Sequence, residues 1–340
     1  MTRLRGWRLP PYAGGLLVAA IIVLFWYLNI PLTVEWMAVF LGLAAATSGR
    51  GRMFLLDWGP FVLALLAWQI TAPIATELPF PWHLTDLISA DSFIFAGYAS
   101  PQWLQAHLYH GGTQEPWDVF ATTMYMLHFV APLLAGFLLW IKNRSLFRQY
   151  TLAFVLVAVM GYITWIVYPA VPPWMAGERL LHVGHIYVKS ASGHIYLPGV
   201  HNLFDAFARH WYNPYNGQIT LGFLHGHVDQ VGAMPSEHAA FPFLSFLFLR
   251  RQFGKPAYLA LLYIAGLTFS VMYLGQHYFV DVLAGFAYAT VAYIAAVAGV
   301  PALRSHPVPA FLFPIAGLRY LQRTMGRTPR AEELDISRSE

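Results

Sequence analysis

The stretch PAYLALLYIAGLTFSVMYLGQHYFVDVLAGFAYATVAYIAAVAGV, residues 256–300, contains two long apolar runs and a single charged side chain, Asp281. An α-helix needs about 20 mostly apolar residues to cross a lipid bilayer. Residues 256–275 and 278–300 are therefore predicted to be two consecutive membrane helices. His277 is predicted to lie between them, at one surface of the membrane.

The composition of the whole chain is that of a membrane protein. Of its 340 residues 58% are hydrophobic and only 11% are charged, whereas soluble domains carry roughly a quarter charged residues. This composition excludes an ordinary soluble domain, a disordered chain, a coiled coil and a nucleic-acid binder, in spite of a net charge of +4. The sequence contains no cysteine, which excludes a disulfide, a thiolate metal site and a cysteine nucleophile.

Apolar runs of this kind recur along the chain. The sequence predicts eight membrane spans, at residues 14–30, 33–47, 53–74, 118–141, 149–171, 235–250, 256–275 and 278–300. The predicted fold class is thus all-α, a polytopic membrane protein with about eight transmembrane helices. Three arginines before the first run resemble the start of a signal peptide, but no small-residue cleavage site follows, so this run is expected to remain as an anchor.

The positions of the basic residues predict the orientation of these helices. Cytoplasmic loops of membrane proteins are enriched in lysine and arginine. If the N-terminus is cytoplasmic, all but three of the 20 basic residues fall inside, the exceptions being Arg179, Lys189 and Arg209. Both termini are therefore expected in the cytoplasm. Residues 75–117, which hold no lysine or arginine, are expected outside, with an amphipathic helix in the membrane interface.

Ionisable residues collect at the outer ends of the last spans. Ser236 and His238 open the sixth span, and His277 and Asp281 follow the seventh, four residues apart. Residues four apart share one face of a helix. By the predicted orientation, the two histidines lie on the same side of the membrane. The end of the fifth span brings Tyr168 to that side as well.

Two histidines and one carboxylate are sufficient for phosphoryl transfer by double displacement. A neutral imidazole can attack phosphorus, an aspartate can fix its tautomer, and a second, protonated imidazole can give a proton to the leaving oxygen. The start of a helix also offers backbone N–H groups to a phosphate. The alternative is that His277 and Asp281 form a structural hydrogen-bonded pair, and that His238 is an interfacial histidine.

These residues resemble the second and third motifs of the type 2 phosphatidic acid phosphatase superfamily, written Pro-Ser-Gly-His and Ser-Arg-x5-His-x3-Asp. The resemblance covers residues 120–300, approximately, and is strongest to the inositol phosphorylceramide synthases. It implies a helical bundle around the site, with His277 as the nucleophile that forms a phosphohistidine. It also implies that Asp281 orients this nucleophile and that His238 acts as acid and then as base.

Three segments are similar to motifs of the synthase branch. They are Tyr273–Asp281, which matches Tyr-Leu-x-x-His-Tyr-Phe-x-Asp, then Tyr168-Pro169-x-x-Pro172-Pro173-Trp174, and Asp118…Tyr125-x-x-His128-Phe129-x-x-Pro132. The resemblance implies a set of candidate substrate-binding residues, which are Ser236, Tyr168, Asp118, Tyr125, His128 and Tyr273. For His128 a structural hydrogen bond is the alternative.

The chain departs from the superfamily pattern in three places. The first motif, Lys-x6-Arg-Pro, is absent, because Gln149 stands where its arginine would follow Lys142. Val271 occupies the arginine position of the third motif, and Glu237 replaces the glycine of the second. The synthase branch shares the first two losses. They weaken the case for a phosphomonoesterase, which uses those cations to hold a dianion.

Two other groups of outer residues are candidates for binding. Arg179 is the candidate contact for a phosphate or headgroup, with a solvated loop arginine as the alternative. A zinc site is a minor alternative, because its ligand spacings occur among His182, His185, His225, His227 and Asp229. The superfamily chemistry that the chain resembles needs no metal, so no metal and no cofactor are predicted.

Three functions are compatible with these residues. The preferred one is a lipid phosphotransferase that moves a phospho-headgroup, such as phosphoinositol, from a glycerolipid to a lipid hydroxyl. The second uses water as the acceptor and is a phosphatase for phosphatidate or a polyprenyl pyrophosphate. The third is a transporter or channel with His277 and Asp281 as a proton relay. The third is disfavoured because no internal repeat is visible and the residues lie at the surface rather than the midplane.

The domain organisation follows from these assignments. Residues 1–116 are expected to form N-terminal membrane helices and the outer segment, residues 117–300 the catalytic domain, and residues 301–340 a cytoplasmic tail. The expected partners are membrane lipids, with the site at the periplasmic, extracellular or lumenal face. The absence of a long cytosolic tail favours a bacterial plasma membrane.

Overall fold

A computed structural model describes residues 34–47, 49–71, 74–111, 114–204 and 231–305, together with Ala20 and Ala206. In chain order its elements are α1 (Val34–Thr47), α2 (Gly51–Thr71), α3 (Ile74–Glu77), α4 (Thr85–Ile94), α5 (Ser100–Leu108), α6 (Pro116–Leu127), α7 (Ala131–Lys142), α8 (Arg144–Val167), α9 (Pro173–Ala176), β1 (Leu180–Val183), β2 (Ile186–Lys189), α10 (Glu237–Phe253), a 3₁₀ helix (Lys255–Leu259), α11 (Ala260–Tyr273) and α12 (Phe279–Ser305). The predicted span at 14–30, apart from Ala20, lies outside the described residues.

Among the described residues, three helical segments are long and apolar enough to cross a membrane, namely Arg144–Val167, Lys255–Tyr273 and Phe279–Ala298. Helices α6 and α7 together make a fourth, with a bend of 45° between them. The predicted spans at 33–47, 53–74 and 235–250 are also helical, as α1, α2 and α10, but do not meet the same criterion. The structure confirms a mostly helical protein with three or four candidate membrane spans in its described part, and the count of eight stays a prediction.

One element of the described structure is not helical. Strands β1 and β2 pair antiparallel, with Leu180 opposite Lys189 and Val183 opposite Ile186. The chain turns at Gly184, where φ is 62°, a conformation that glycine adopts without steric cost. The sequence gives no clear signal for this hairpin, because two four-residue strands are too short for a clear alternation of apolar and polar residues.

Helix α10 lies at the centre of the bundle and packs against α8, α11 and α12. It runs antiparallel to α8. The rings of Phe154 and Phe241 stack with their centroids 3.8 Å apart, and the hydroxyl groups of Tyr150 and Ser245 lie 2.9 Å apart. Interhelical packing and hydrogen bonds of this kind hold helices together in lipid, where the hydrophobic effect does not.

At one end of the bundle, basic residues at the start of α8 form ion pairs with α2. The buried carboxylate of Asp57 in α2 accepts hydrogen bonds from Arg144, Arg148 and Trp140 at 2.7–3.3 Å. Arg250 lies in the last turn of α10, at the same end, because α8 and α10 are antiparallel. The basic residues of these two helices therefore lie at the opposite end from the first turn of α10.

A buried carboxylate of the outer segment holds the start of α12. Asp91 of α4 is fully buried and accepts hydrogen bonds from the backbone N–H groups of Ser100 (2.5 Å), Phe279 (2.8 Å) and Val280 (3.2 Å). The last two N–H groups belong to the first turn of α12, where they have no partner within the helix. A carboxylate in this position also complements the positive end of the helix dipole.

Gln105 of α5 provides a second anchor from the outer segment. Its Nε2 donates to the carbonyl oxygens of Tyr273 (2.8 Å) and His201 (3.0 Å), and its Oε1 accepts from the His201 N–H at 2.8 Å. The turn between α11 and α12 is thus held from outside by both α4 and α5. Two residues of the predicted interfacial segment, Asp91 and Gln105, are therefore buried and bind backbone groups of this turn.

The anchoring role of Asp91 can be tested by Asp91→Ala. The substitution leaves buried N–H groups without an acceptor, at a cost of about 1–3 kcal/mol for each buried donor. We expect the apparent Tm of the detergent-purified protein to fall by several degrees. Ser89→Ala, at an exposed position of the same helix, is the matched control and should not change it. An unchanged Tm for Asp91→Ala would contradict the anchoring role.

The close approach of α10 and α12 depends on Gly285. A methyl group built there would lie 2.3 Å from the carbonyl oxygen of Ser236 and 3.4 Å from the backbone nitrogen of Ala240. Backbone atoms cannot rotate away, so Gly285→Ala should separate the two helices, with an overpacking cost of about 1–3 kcal/mol. We expect a lower Tm and a loss of activity.

The control for this substitution is Gly59→Ala in α2, because a methyl group at Gly59 meets no atom within 4 Å. Gly59→Ala should keep or raise the Tm, since alanine is the better helix former. Equal melting temperatures for the two variants would show that the helices do not need the glycine.

Candidate active site

His238 and His277 are in direct contact. Nδ1 of His238 lies 3.0 Å from Nε2 of His277, and Nδ1 of His277 lies 2.8 Å from the carbonyl oxygen of Ala233. Because a carbonyl oxygen can only accept, Nδ1 of His277 carries a proton, and its Nε2 holds the lone pair when the ring is neutral. His238 Nδ1 then donates to that lone pair. The structure brings the two predicted histidines together, with His277 Nε2 in the state that a nucleophile needs.

The starts of two helices bring these histidines together. Ser236 is the N-cap of α10, and its hydroxyl oxygen accepts the Ala239 N–H at 3.3 Å. The backbone N–H of Ser236 donates to the Asp281 carbonyl oxygen at 2.9 Å, which joins the start of α10 to the start of α12. The chain turns at Gly275, with φ of 77°, and so places His277 beside α10. In this structure the Ser236 hydroxyl serves as a helix cap.

Asp281 is fully buried beside His277. Its Oδ2 lies 3.7 Å from His277 Nδ1 and accepts the Tyr278 N–H at 2.8 Å. A separation of 3.7 Å is a charge contact rather than a hydrogen bond. The tautomer of His277 is therefore fixed here by the Ala233 carbonyl, and Asp281 is placed to stabilise positive charge on the ring.

Aromatic side chains of α6 and the bend that follows it surround His238. The ring centroid of Tyr125 lies 4.7 Å from that of His238, and the His128 centroid lies 4.5 Å from it. His128 is buried at the bend, and its Nδ1 has no hydrogen-bond partner among the described residues. Tyr125 and His128, two of the predicted substrate-binding residues, thus contact His238. The unpartnered Nδ1 of His128 is a polar atom that a substrate or a water molecule could bind.

Asp118 and Tyr273 are bound to each other. The Tyr273 hydroxyl donates to Oδ1 of Asp118, and Oδ2 of Asp118 accepts the Glu115 N–H at 2.8 Å as part of a capping box at the start of α6. Both side chains are buried, and they tie α6 to α11. Their predicted contact with substrate stays a prediction.

Glu237, the departure from the second motif, faces away from the histidine pair. It is buried against Gly161 of α8, where an added methyl group would lie 2.4 Å from Oε1 of Glu237. Successive residues of an α-helix point about 100° apart. Glu237 therefore faces α8, while His238 faces α6.

Tyr168 and Arg179 make their contacts away from the histidine pair. The Tyr168 hydroxyl donates to Oδ2 of Asp86 at 2.5 Å, and its ring stacks on His83 with centroids 3.7 Å apart. Arg179 is exposed and donates to the Ala191 carbonyl at 3.5 Å, and it contacts neither histidine of the pair in the described part of the chain. His83 and Asp86 were not predicted as site residues, and their only signal in the sequence is their spacing in a segment without basic residues.

The alternative of a metal site has limited support. No group of three or more metal-ligating side chains occurs within the described ranges. His182 belongs to β1, where its ring lies 4.8 Å from that of Tyr187. His225, His227 and Asp229 lie outside the described residues.

Comparison with known proteins supports a lipid-modifying family. The profile described as the PAP2 superfamily matches residues 86–295, which is more than half of the chain. The matched region contains both histidines of the pair and Asp281, and also Asp86 and Asp91 of the outer segment. No solved structure matches the chain.

Curated relatives match over part of their length. The inositol phosphorylceramide synthase catalytic subunit aur1 of Schizosaccharomyces pombe is 26% identical over 260 residues, or 70% of this chain and 58% of the relative. The phosphoinositol dihydroceramide synthase of Bacteroides thetaiotaomicron is 26% identical over 174 residues, or 49% of this chain and 52% of the relative. The inositol phosphorylceramide synthase of Candida albicans is 26% identical over 170 residues, or 49% of this chain and 33% of the relative.

The chain therefore spans between one third and about three fifths of the length of these relatives. The Pro-Ser-x-His and His-x3-Asp residues meet at the starts of two neighbouring helices, and the family profile covers most of the bundle that holds them. The chain belongs to the PAP2 superfamily.

Proposed function

We propose that the protein is a lipid phosphotransferase that moves phosphoinositol from a glycerolipid to the hydroxyl group of a second lipid. The observation that carries this proposal is the contact of His238 Nδ1 with His277 Nε2 at 3.0 Å, with His277 Nδ1 bound to the Ala233 carbonyl. The names of the three relatives support phosphoinositol as the transferred group and a ceramide-type hydroxyl as the acceptor.

The first half of the reaction uses His277 as the nucleophile. The donor phosphate enters between the two imidazoles and replaces their hydrogen bond. His277 Nε2 forms a bond to phosphorus while the bond from phosphorus to the diacylglycerol oxygen breaks, and His238, protonated, gives a proton to that oxygen. The Ala233 carbonyl keeps the proton on His277 Nδ1, and the carboxylate of Asp281, 3.7 Å away, stabilises the positive ring.

The second half reverses these roles. His238, now neutral, takes the proton from the acceptor hydroxyl, whose oxygen attacks the phosphohistidine. The bond from phosphorus to His277 Nε2 breaks, and the product phosphodiester leaves with the original headgroup attached. One proton is thus given and regained by His238 in each cycle.

The sparse positive charge of the site suits a diester substrate. Val271, at the position of the missing arginine, is fully buried in the core around α11. A phosphodiester carries one negative charge, whereas a phosphomonoester approaches two and needs more cations to hold it. The arginines that the superfamily uses for a dianion are therefore less necessary here.

The arrangement of charges along the bundle also supports the proposed orientation. The paired arginines at the start of α8 and the arginines at the end of α10 lie at one end, and the histidines lie at the other. With the basic end in the cytoplasm, the site faces the outside of the membrane. We propose this location, in a bacterial plasma membrane.

The assignment of the two histidines is tested with phosphatidylinositol labelled on its phosphate. His277→Ala should abolish turnover and any label on the protein. His238→Ala should reduce turnover by about 10²–10⁴-fold, the usual contribution of a general acid. This loss should become much smaller with a nitrophenyl leaving group, which departs without a proton. The label held by the protein should be stable in alkali and labile in acid.

The acceptor decides between the transferase and the phosphatase that uses the same residues. A labelled lipid that forms only when ceramide is added supports transfer. Release of water-soluble inositol phosphate at a rate that ceramide does not change would replace the proposal by a hydrolase. Full turnover by His277→Ala would refute both.

A further inference from the structure

His83, Asp86 and Tyr168 form a second polar cluster on the outer face. Oδ2 of Asp86 lies 2.7 Å from Nδ1 of His83 and accepts the Tyr168 hydroxyl at 2.5 Å. The side chains of His83 and Asp86 are 29% and 46% exposed, so a ligand can reach them. The superfamily motifs include only Tyr168 of these three residues, and the two-histidine mechanism uses none of them.

The hydrogen bonds within this cluster determine what it offers to a ligand. A carboxylate can only accept, so His83 Nδ1 and the Tyr168 hydroxyl both donate hydrogen bonds to Asp86. Two acceptors remain whatever the charge of His83, namely the phenol oxygen of Tyr168 and Oδ1 of Asp86, which also accepts the Leu87 N–H at 3.1 Å. Nε2 of His83 is a third acceptor when that ring is neutral. The cluster therefore presents acceptors to its surroundings.

The charge of Asp86 is also set by these contacts. Partial burial by itself raises the pKa of the Asp86 carboxyl, but the hydrogen bonds from Tyr168 and His83 and the charge of His83 lower it more, and the pKa lies below its ordinary value. Burial and the bond to Asp86 raise the pKa of Tyr168, which keeps its proton. Asp86 is therefore ionised at neutral pH and favours ligands that donate hydrogen bonds.

Two steps of backbone pairing connect the cluster with the histidine pair. His83 pairs with Ala170, and Ala170 pairs with Gly232. The next carbonyl, that of Ala233, is the one that binds His277 Nδ1. Adjacent extended segments lie 4.7–4.9 Å apart, so the two steps span about 10 Å between the backbones of His83 and Gly232.

We propose that His83, Asp86 and Tyr168 bind the hydroxyl groups of a ring polyol headgroup on the donor lipid while its phosphorus lies at His277. This assignment rests on the proposed transfer of a phospho-headgroup, and it names the part of the protein that selects the headgroup. The short backbone path from His83 through Ala170 to the Ala233 carbonyl places the cluster beside the segment that binds His277.

The chemistry of the cluster disfavours an anionic headgroup and a quaternary ammonium headgroup. A second phosphate would be repelled by Asp86, whereas the neighbouring hydroxyls of a ring donate two hydrogen bonds to acceptors placed side by side. A quaternary ammonium group is usually held in an open box of aromatic faces. Here the rings of His83 and Tyr168 lie against each other at 3.7 Å, which is not such a box.

Direct binding to the inactive variant His277→Ala tests the proposal without turnover. The probes are short-chain phosphatidylinositol, phosphatidate and phosphatidylethanolamine, and a short-chain ceramide, each titrated calorimetrically into the full-length protein in detergent. Adding Asp86→Asn should raise the Kd of phosphatidylinositol about tenfold, as expected for one hydrogen bond to a charged group. The Kd of the other three lipids should not change. His83→Gln should act in the same direction.

Glu178→Gln is the matched control, because Glu178 is another acid of the outer face and pairs with Lys189 in the hairpin. It should leave all four dissociation constants unchanged. Equal weakening of phosphatidylinositol and phosphatidate by Asp86→Asn would overturn the proposal. If Asp86→Asn weakens the binding of phosphatidylethanolamine alone, the cluster is an ammonium site instead. If it weakens the binding of ceramide alone, the cluster binds the hydroxyl groups of the acceptor lipid instead.

These results separate the inference from the proposed function. Selective binding of phosphatidylinositol through Asp86, combined with wild-type protein that transfers no headgroup, would remove the transferase and keep the polyol site. Transfer of phosphoinositol with a Kd that Asp86→Asn does not change would keep the transferase and remove the polyol site.

Discussion

His238 and His277 can touch only if the first turns of α10 and α12 lie side by side, and much of the polar structure serves this constraint. The two helices run in the same direction at this point, so the positive ends of their dipoles come together. Acidic groups oppose this repulsion. Glu237 and Asp281 lie in the first turns of the two helices, and Asp91 binds the free N–H groups of α12.

The same constraint explains the residues at the point of closest approach. The Ser236 N–H donates to the Asp281 carbonyl, and Gly285 leaves space for the backbone of α10. Neither residue contacts the reacting atoms in this structure. In a medium of low dielectric constant each unsatisfied backbone group is costly, so these contacts fix the two helix starts firmly.

The residues that meet in the candidate active site were largely predictable from the sequence. Two histidines and an aspartate at the outer ends of apolar runs, in a known motif pattern, indicate phosphoryl transfer, and the structure brings His238 and His277 into contact. The roles of their neighbours were less predictable. The sequence assigned the tautomer of His277 to Asp281, and the structure assigns it to the Ala233 carbonyl. A backbone carbonyl is present at every residue, so no sequence pattern can single out the one that faces an imidazole.

The contacts of residues 75–117 were likewise not predictable from the sequence. The lack of basic residues in this segment predicted an outer location, but Asp91 and Gln105 bind backbone groups of the α11–α12 turn, more than 160 residues further along the chain. By itself the sequence determined the membrane-helical class, the expected ends of the helices and the family. These depend on apolar length, charge and spacing, which are local properties. The tertiary structure decided which hydrogen bonds orient His277 and which residues gather around Tyr168, because those depend on where distant backbone segments meet.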